Sequence, residues 1–206
     1  MTNEIELKLK IALTDVAQFL ANPYLQMAIA QQRQHLISVY YDTSALSLMH
    51  QRAALRVRLV GTRWIQTIKI GGHAINGLHT RPEWEVELNN HQPQPGLFTD
   101  PAVTQLLTVE LIHQLTPIFQ TDFWRDTWLL EFHGAQIEIA LDLGKVISLT
   151  QETPICEIEL ELKNGNVQQL MELAQILGQD ITLTPDSISK AQRGYALYQQ
   201  QAGMLS

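Results

Sequence analysis

Charged and apolar residues alternate strictly near the start of the chain, and this two-residue period constrains the possible folds most strongly. In segment 4–11 the charged side chains occupy four alternate positions, with apolar side chains between them. Successive side chains of a β-strand point to opposite faces, so this segment predicts a strand with one charged face and one apolar face. Similar alternation recurs in segments 83–88, 138–142 and 155–163. The pattern predicts an α+β domain dominated by antiparallel strands.

Helical periodicity appears between and after these strands. It predicts helices near 14–20, across 103–113, from 166 to about 177, and from about 186 onward.

A hairpin signature lies in the first half of the chain, where two strand-like runs flank the pair Gly61-Thr62. A two-residue turn at this pair places residues opposite each other when their numbers sum to 123. The register then puts Arg56, Arg58 and Lys69 on one face of the hairpin. A slip of one residue would move these side chains to the other face.

Ten of the 21 acidic residues lie in the four alternating segments. Glutamates two positions apart on a strand are separated by roughly 7 Å, so around an enclosed space their repulsion would raise their pKa values unless a cation were present. Clustered carboxylate oxygens suit Mg²⁺ or Mn²⁺, and basic strand faces suit phosphate oxygens. The alternative is a solvated sheet face with charged cross-strand pairs. The spacing alone leaves both interpretations open.

Several classes of protein are disfavoured by the composition. With 14 basic and 21 acidic residues the formal net charge is −7, which argues against a general nucleic-acid binder. The seven histidines are scattered, and the sequence has no P-loop, dinucleotide fingerprint or Gly-x-Ser-x-Gly motif. Cys156 is the only cysteine and is interpreted as a small buried residue. Without a signal peptide or a membrane-spanning segment, the expected location is the cytoplasm, with neither a membrane nor a nucleic acid as partner.

The segment Glu4-Ile5-Glu6-Leu7-Lys8 has the form ExExK, and here the sequence resembles the CYTH superfamily, or triphosphate tunnel metalloenzymes. The resemblance continues in order through almost the whole chain. Its further segments are YYDT at 40–43, LRVR at 55–58, IK at 68–69, RPEWE at 81–85, TDFWR at 121–125, EIALDLG at 138–144, CEIELE at 156–161 and SKAQRGY at 189–195. Within the superfamily, segments 77–83, 121–123 and 154–157 are most similar to bacterial inorganic triphosphatases.

The resemblance implies an eight-stranded antiparallel β-barrel that forms a tunnel, with helices packed outside. Residues 1–206 are expected to form a single domain of this type, without the C-terminal helical CHAD domain that many members of the group carry. The basic residues implied for substrate binding and catalysis are Lys8, Arg56, Arg58, Lys69, Arg125 and Lys190. The metal-binding acids implied are Glu4, Glu6, Glu157, Glu159, Glu161 and Asp142, with catalytic roles for Asp142 and Glu85 and a supporting role for Glu83.

The function that the resemblance implies is the hydrolysis of tripolyphosphate to pyrophosphate and phosphate, with Mg²⁺ or Mn²⁺ as cofactor. The expected partner is inorganic tripolyphosphate or another triphosphate compound. Two alternatives remain open. One is a nucleotide-acting family member, such as a class IV-type adenylate cyclase or a nucleoside or thiamine triphosphatase. The other is a non-catalytic module that binds polyphosphate.

Overall fold

The computed structural model describes residues 2–203, in which long strands dominate. The strands are β1 (Thr2–Ile11), β2 (Ala30–Asp42), β3 (Ala53–Val60), β4 (Arg63–Ile70), β5 (His73–Ile75), β6 (Leu78–Leu88), β7 (Thr116–Phe132), β8 (Ala135–Ser148), β9 (Gln151–Asn164) and β10 (Leu183–Pro185). The helices are α1 (Val16–Leu20), α2 (Pro23–Gln26), α3 (Ser47–His50), α4 (Pro101–Leu106), α5 (Val109–His113), α6 (Val167–Leu177) and α7 (Lys190–Ala202). Short 3₁₀ turns occupy Leu13–Asp15 and Pro95–Leu97.

Eight of the strands close into a barrel. Strand β1 pairs with β9 on one edge and with β6 on the other, which completes the ring β1-β9-β8-β7-β2-β3-β4-β6. Every pairing in this ring is antiparallel. The short strands β5 and β10 extend β6 and β1 without joining the ring. The predicted eight-stranded antiparallel barrel is therefore confirmed.

The β3–β4 hairpin has the register expected from its turn. Arg58 lies opposite Ile65 and Arg56 lies opposite Thr67, so each pair of numbers sums to 123. Gly61 has a φ of +60°, a left-handed conformation that glycine adopts readily in a two-residue hairpin turn. The local sequence thus sets the face on which the two arginines lie.

Most helices pack on the outside of the barrel, where the apolar strand faces point. Helices α1, α2 and α6 cover one apolar cluster, in which Phe19 and Leu170 lie with Leu7 and Ile139 of the strands. Helices α3 to α5 cover a second cluster on β3, β4 and β6. No helix within residues 2–203 combines the length and apolar character needed to cross a lipid bilayer.

Helix α7 packs against a third apolar cluster that includes Phe119 and Phe123 of β7. It begins at Lys190, later than the sequence pattern predicts. The N-cap is Ser189, whose hydroxyl accepts from the N–H of Gln192 while the Gln192 side chain accepts from the N–H of Ser189. Asp186 serves the preceding turn instead, where its carboxylate accepts from the N–H of Ile188.

Candidate active site in the barrel interior

The charged faces of the strands point into the barrel. On β1, Glu6 and Lys8 line the interior, whereas Leu7 between them packs in the outer apolar core. The interior contains a cavity of about 70 Å³. Nine of the residues predicted for the site line it: Glu4, Glu6, Lys8, Arg56, Arg58, Lys69, Arg125, Glu159 and Lys190. Tyr40, Thr67 and Arg81 also contribute to its wall.

Three acidic side chains form a compact buried cluster in this interior. Ligand oxygens of Asp142, Glu157 and Glu159 all lie within 4.8 Å of one another. The strand register explains their proximity, because Asp142 on β8 lies directly opposite Glu157 on β9. Ala140 lies opposite Glu159, and its small side chain occupies little of the interior.

Cations from three elements surround this acidic cluster. The Nζ of Lys190 on α7 lies 2.5 Å from Oδ2 of Asp142 and also contacts both glutamates. The Nζ of Lys8 on β1 lies 3.2 Å from Oε1 of Glu157. Arg125 on β7 donates two hydrogen bonds to Asp142, of 2.7 and 2.6 Å. The fold therefore neutralises the cluster with side chains that are distant in the sequence.

The pKa values of these groups follow from burial and opposite charge. Burial alone would raise the pKa of Glu157, but Lys190 and Lys8 outweigh that effect and lower it to about 2. The same cations hold the pKa of Glu159 well below its usual value. Burial would lower the pKa of both lysines, yet the neighbouring carboxylates raise it. All four groups are consequently charged at neutral pH.

A second pair of acids, Glu4 and Glu6, lies on β1 and is held by cations from β4 and β6. The Nζ of Lys69 contacts Glu4 and lies 3.0 Å from Oε2 of Glu83. The Nη2 of Arg81 lies 3.1 Å from Oε1 of Glu6, and its Nε lies 3.5 Å from Oε2 of Glu4. These acids are thus paired separately from the cluster on β8 and β9.

The two arginines of β3 are less well neutralised than the other cations of the site. Among residues 2–203, no carboxylate oxygen lies within ion-pair distance of Arg58, and its Nε donates to Oγ of Ser38 at 2.7 Å. Burial, followed by the charge of Arg56, lowers the pKa of Arg58. Arg56 has a loose contact of 3.7 Å with Glu83 and a hydrogen bond with Tyr40, but its buried Nε has no hydrogen-bond partner. The wall of the cavity formed by β3 therefore suits an anionic ligand.

The carboxylates of the site suit a hard divalent cation, because Mg²⁺ and Mn²⁺ prefer oxygen ligands. Oxygens bound to one Mg²⁺ at 2.0–2.1 Å lie at most about 4.2 Å apart. The spread of up to 4.8 Å among Asp142, Glu157 and Glu159 is close to that limit, so small side-chain movements would bring the three onto one ion. Glu4 and Glu6 line the same interior and add further oxygen donors.

Two acids predicted for the site lie at its periphery. Glu85 is exposed and accepts a hydrogen bond of 2.8 Å from Oγ1 of Thr67. The Glu161 side chain is 30% exposed and lies 2.7 Å from Nζ of Lys163. Burial raises the pKa of Glu161 even though Lys163 opposes this shift. Both glutamates share a strand face with interior residues but do not line the cavity.

Two interior arginines were not assigned a role from the sequence. Arg81 lies two residues before Glu83, so strand alternation alone places both on one face. Arg193 contacts Glu157 from α7, where it follows Lys190 by three positions. Residues three apart on a helix are neighbours, which is the signal that could have identified Arg193.

The chain is similar to several known proteins. A curated inorganic triphosphatase from Haemophilus influenzae is 37% identical over 206 residues, which is 98% of this chain and 56% of that protein. The chain therefore spans just over half the length of this relative. The solved structure of HpAC1 from Hippeastrum, studied as an adenylyl cyclase and described as having a dominant triphosphatase activity, aligns with a TM-score of 0.62. Its identity is 18%, and the alignment covers 96% of each chain.

Another solved structure, PH1819 from Pyrococcus horikoshii, aligns with a TM-score of 0.60 and 19% identity, over 94% of this chain and 99% of the other. At such identities the two structures support the fold alone. The CYTH domain family profile matches residues 2–195, which include every strand of the barrel and the first six residues of α7. The chain belongs to the CYTH domain family.

Proposed function

We propose that this protein hydrolyses inorganic tripolyphosphate to pyrophosphate and phosphate in the barrel interior, with Mg²⁺ or Mn²⁺ bound by the interior carboxylates. The inorganic triphosphatase from Haemophilus influenzae supports this assignment, because the similarity extends over nearly all of this chain. The cavity supports it independently, since its walls combine oxygen donors for a cation with basic groups for phosphate.

The observation that carries the proposal is the buried positive charge on β3. Arg58 has no carboxylate partner among residues 2–203, and Arg56 keeps a buried Nε without an acceptor. A buried cation without a counter-ion, or with an unpaired N–H group, is unfavourable in the folded protein, so such an arrangement indicates a site built for an anionic ligand. A chain of linked phosphates supplies several acceptor oxygens at the spacing of neighbouring basic side chains.

The basic residues of the interior would bind the substrate, and the acidic residues would bind the metal ion. Arg56 and Arg58 would bind phosphate oxygens from β3, while Lys8, Arg125 and Lys190 would do so beside the acidic cluster of β8 and β9. Their charges would stabilise the negative charge that develops on the transferred phosphoryl group. A bound divalent ion supplies charge neutralisation for the phosphates and a lowered pKa for water. Glu4, Glu6, Asp142, Glu157 and Glu159 would hold it.

A substrate panel tests the proposal. The purified protein is incubated with tripolyphosphate, ATP or thiamine triphosphate, each with Mg²⁺, Mn²⁺ or EDTA, and orthophosphate, pyrophosphate and cyclic AMP are quantified. We expect equal amounts of orthophosphate and pyrophosphate from tripolyphosphate, only with a metal. Cyclic AMP from ATP, or preferential turnover of an organic triphosphate, would assign the protein to nucleotide or thiamine chemistry. Tight binding of tripolyphosphate without turnover in either metal would indicate a binding module.

A matched pair of variants tests the assigned carboxylates. Glu6→Gln keeps the shape of a buried side chain but removes its charge, so we expect turnover to fall at least about a hundredfold, the order seen when one electrostatic group is removed from an active site. Glu152→Gln makes the same change at a side chain that is 61% exposed and paired with Lys145, and should retain wild-type turnover. Equal turnover by both variants would contradict the assignment of Glu6.

A further inference from the structure

Arg81 on β6 begins the segment RPEWE, but the sequence assigns it no role. It lies directly opposite Glu4 in the β1–β6 pairing, and its guanidinium spans two carboxylates. The Nη2 lies 3.1 Å from Oε1 of Glu6, and the Nε lies 3.5 Å from Oε2 of Glu4. The Arg81 side chain is only 19% exposed, so these contacts are little screened by water.

The guanidinium and a divalent cation require the same oxygens. Glu4 and Glu6 are the two acids of the ExExK segment, and their side chains are 13% and 6% exposed. A carboxylate oxygen that accepts a charge-assisted hydrogen bond has less free lone-pair capacity for a metal ion. The positive charge of Arg81 would also repel an incoming cation at this short range.

The surroundings of Arg81 give its side chain room to move. It lines both the interior cavity of about 70 Å³ and a neighbouring cavity of about 260 Å³, which Lys69 and Ser189 also line. No acidic residue is among those that line the larger cavity within the described part of the chain. A guanidinium that leaves Glu4 and Glu6 would therefore find space there, but no alternative carboxylate partner.

We propose that Arg81 is a displaceable counter-ion of Glu4 and Glu6, which a divalent cation replaces and which then binds the phosphate chain. The inference rests on the proposed function, because it takes the interior carboxylates as metal ligands. Its consequence is a thermodynamic coupling between metal and substrate. Each ligand favours the arrangement in which Arg81 has left the carboxylates, so each strengthens the binding of the other.

The first test measures Mn²⁺ binding to the whole protein by isothermal titration calorimetry, without any phosphate compound. Arg81→Gln should bind Mn²⁺ about tenfold more tightly than the wild type, the order expected for loss of a competing charge-assisted hydrogen bond. Arg58→Gln is the matched control, because it removes the same charge from the same cavity without touching Glu4 or Glu6. It should change Mn²⁺ affinity less than about threefold.

The second test repeats the Mn²⁺ titration in the presence of tripolyphosphate under conditions that prevent turnover, such as low temperature. Tripolyphosphate should increase Mn²⁺ affinity more for the wild type than for Arg81→Gln, because the variant lacks the guanidinium that the ion must displace from Glu4 and Glu6. Arg81→Lys keeps the charge but cannot span two carboxylates as the planar guanidinium does. Its increase in Mn²⁺ affinity should lie between those of the wild type and Arg81→Gln. Circular dichroism spectra that match the wild type establish that the variants are folded.

The outcomes separate this inference from the proposed function. Equal Mn²⁺ affinities for wild type and Arg81→Gln, in a protein that hydrolyses tripolyphosphate, would overturn the role of Arg81 alone. Equal tightening by Arg81→Gln and Arg58→Gln would also overturn it, since the effect would then reflect the total charge of the cavity. Failure of every form to bind Mn²⁺ would overturn both the inference and the metal site.

Discussion

Gly194 on α7 lies so close to the ring of Phe119 on β7 that a Cβ built on the glycine would be 2.2 Å from two ring carbons. No side chain fits at this position without moving the helix or the ring. Lys190, one turn earlier on the same helix, reaches Asp142 in the barrel interior. The close approach of helix and strand therefore fixes the depth at which Lys190 enters the site.

Gly194→Ala should displace α7 and weaken both the fold and the site. We expect a loss of about 1–3 kcal/mol in the free energy of unfolding, which is typical of an overpacked position, and slower triphosphate turnover because Lys190 shifts. Urea unfolding and phosphate release measure the two effects. Gly96→Ala is the control, because a Cβ at Gly96 meets nothing within 4 Å and its stability should change by less than about 0.5 kcal/mol.

Tyr195→Phe should destabilise the protein through a single hydrogen bond. The Tyr195 hydroxyl donates to Oδ2 of Asp42 at 3.0 Å, while the same carboxylate accepts from the backbone N–H groups of Thr43 and of Leu48 and Met49 in α3. Hydrogen bonds to charged groups contribute about 1.5–3 kcal/mol, so a loss of this size is expected in urea unfolding. An unchanged unfolding midpoint would mean that the hydroxyl does not anchor α7 to α3.

Arg58→Met should weaken the binding of tripolyphosphate without lowering the stability of the folded protein. The substitution removes a cation that has no carboxylate partner among residues 2–203, so without ligand the midpoint of thermal unfolding should be unchanged or higher. The affinity for tripolyphosphate in EDTA should fall about tenfold or more, since hydrogen bonds to a charged group are lost. Arg63→Met, at a side chain that is 62% exposed, should leave the affinity unchanged. A marked fall in the Arg58→Met midpoint would contradict this account.

The stability of the protein should fall in acid partly because of Glu157. Its pKa is about 2 in the folded protein, against an ordinary value of 4.5, because Lys190 and Lys8 outweigh burial. A folded-state pKa below the unfolded value gives a stabilisation that is complete above pH 4.5 and is lost as pH falls toward 2. Glu157→Gln lacks this titration, so the difference in urea midpoint between wild type and variant should shrink over that range. A constant difference would argue against the lowered pKa.

Local patterns in the sequence predict the parts of this structure that depend on neighbouring residues. The register of the β3–β4 hairpin follows from its two-residue turn, and the positions of Arg56 and Arg58 follow from the register. Helix α6 begins after Asn166 and ends before Gly178, as its capping residues predict. In each case the determining interactions span only a few positions.

Other features could not be predicted from local patterns because they depend on distant contacts. Trp124 of β7 is 45% exposed and stacks on His35 of β2 across the outer surface of the barrel, a contact that depends on the pairing of two strands distant in the sequence. Strand alternation is the same for a solvated sheet and a closed barrel, and only the pairing of β1 with β6 distinguishes them. Strand alternation predicts that Arg81 shares a face with Glu83. Its contact with Glu4 and Glu6, however, forms only because β6 pairs with β1.

The position of β1 in the barrel also affects folding during synthesis of the chain. It pairs with β9 through Glu6 and Glu161, and the carbonyl of Lys8 accepts from the N–H of Asp186. During synthesis the ribosome produces β1 long before these partners, so one of its edges stays without its native neighbours until most of the barrel has been translated. Contacts of such long sequence separation slow folding, and unpaired strand edges favour association between chains. Until those partners are made, the charged residues of β1 that form the site would also reduce association of this strand with other chains.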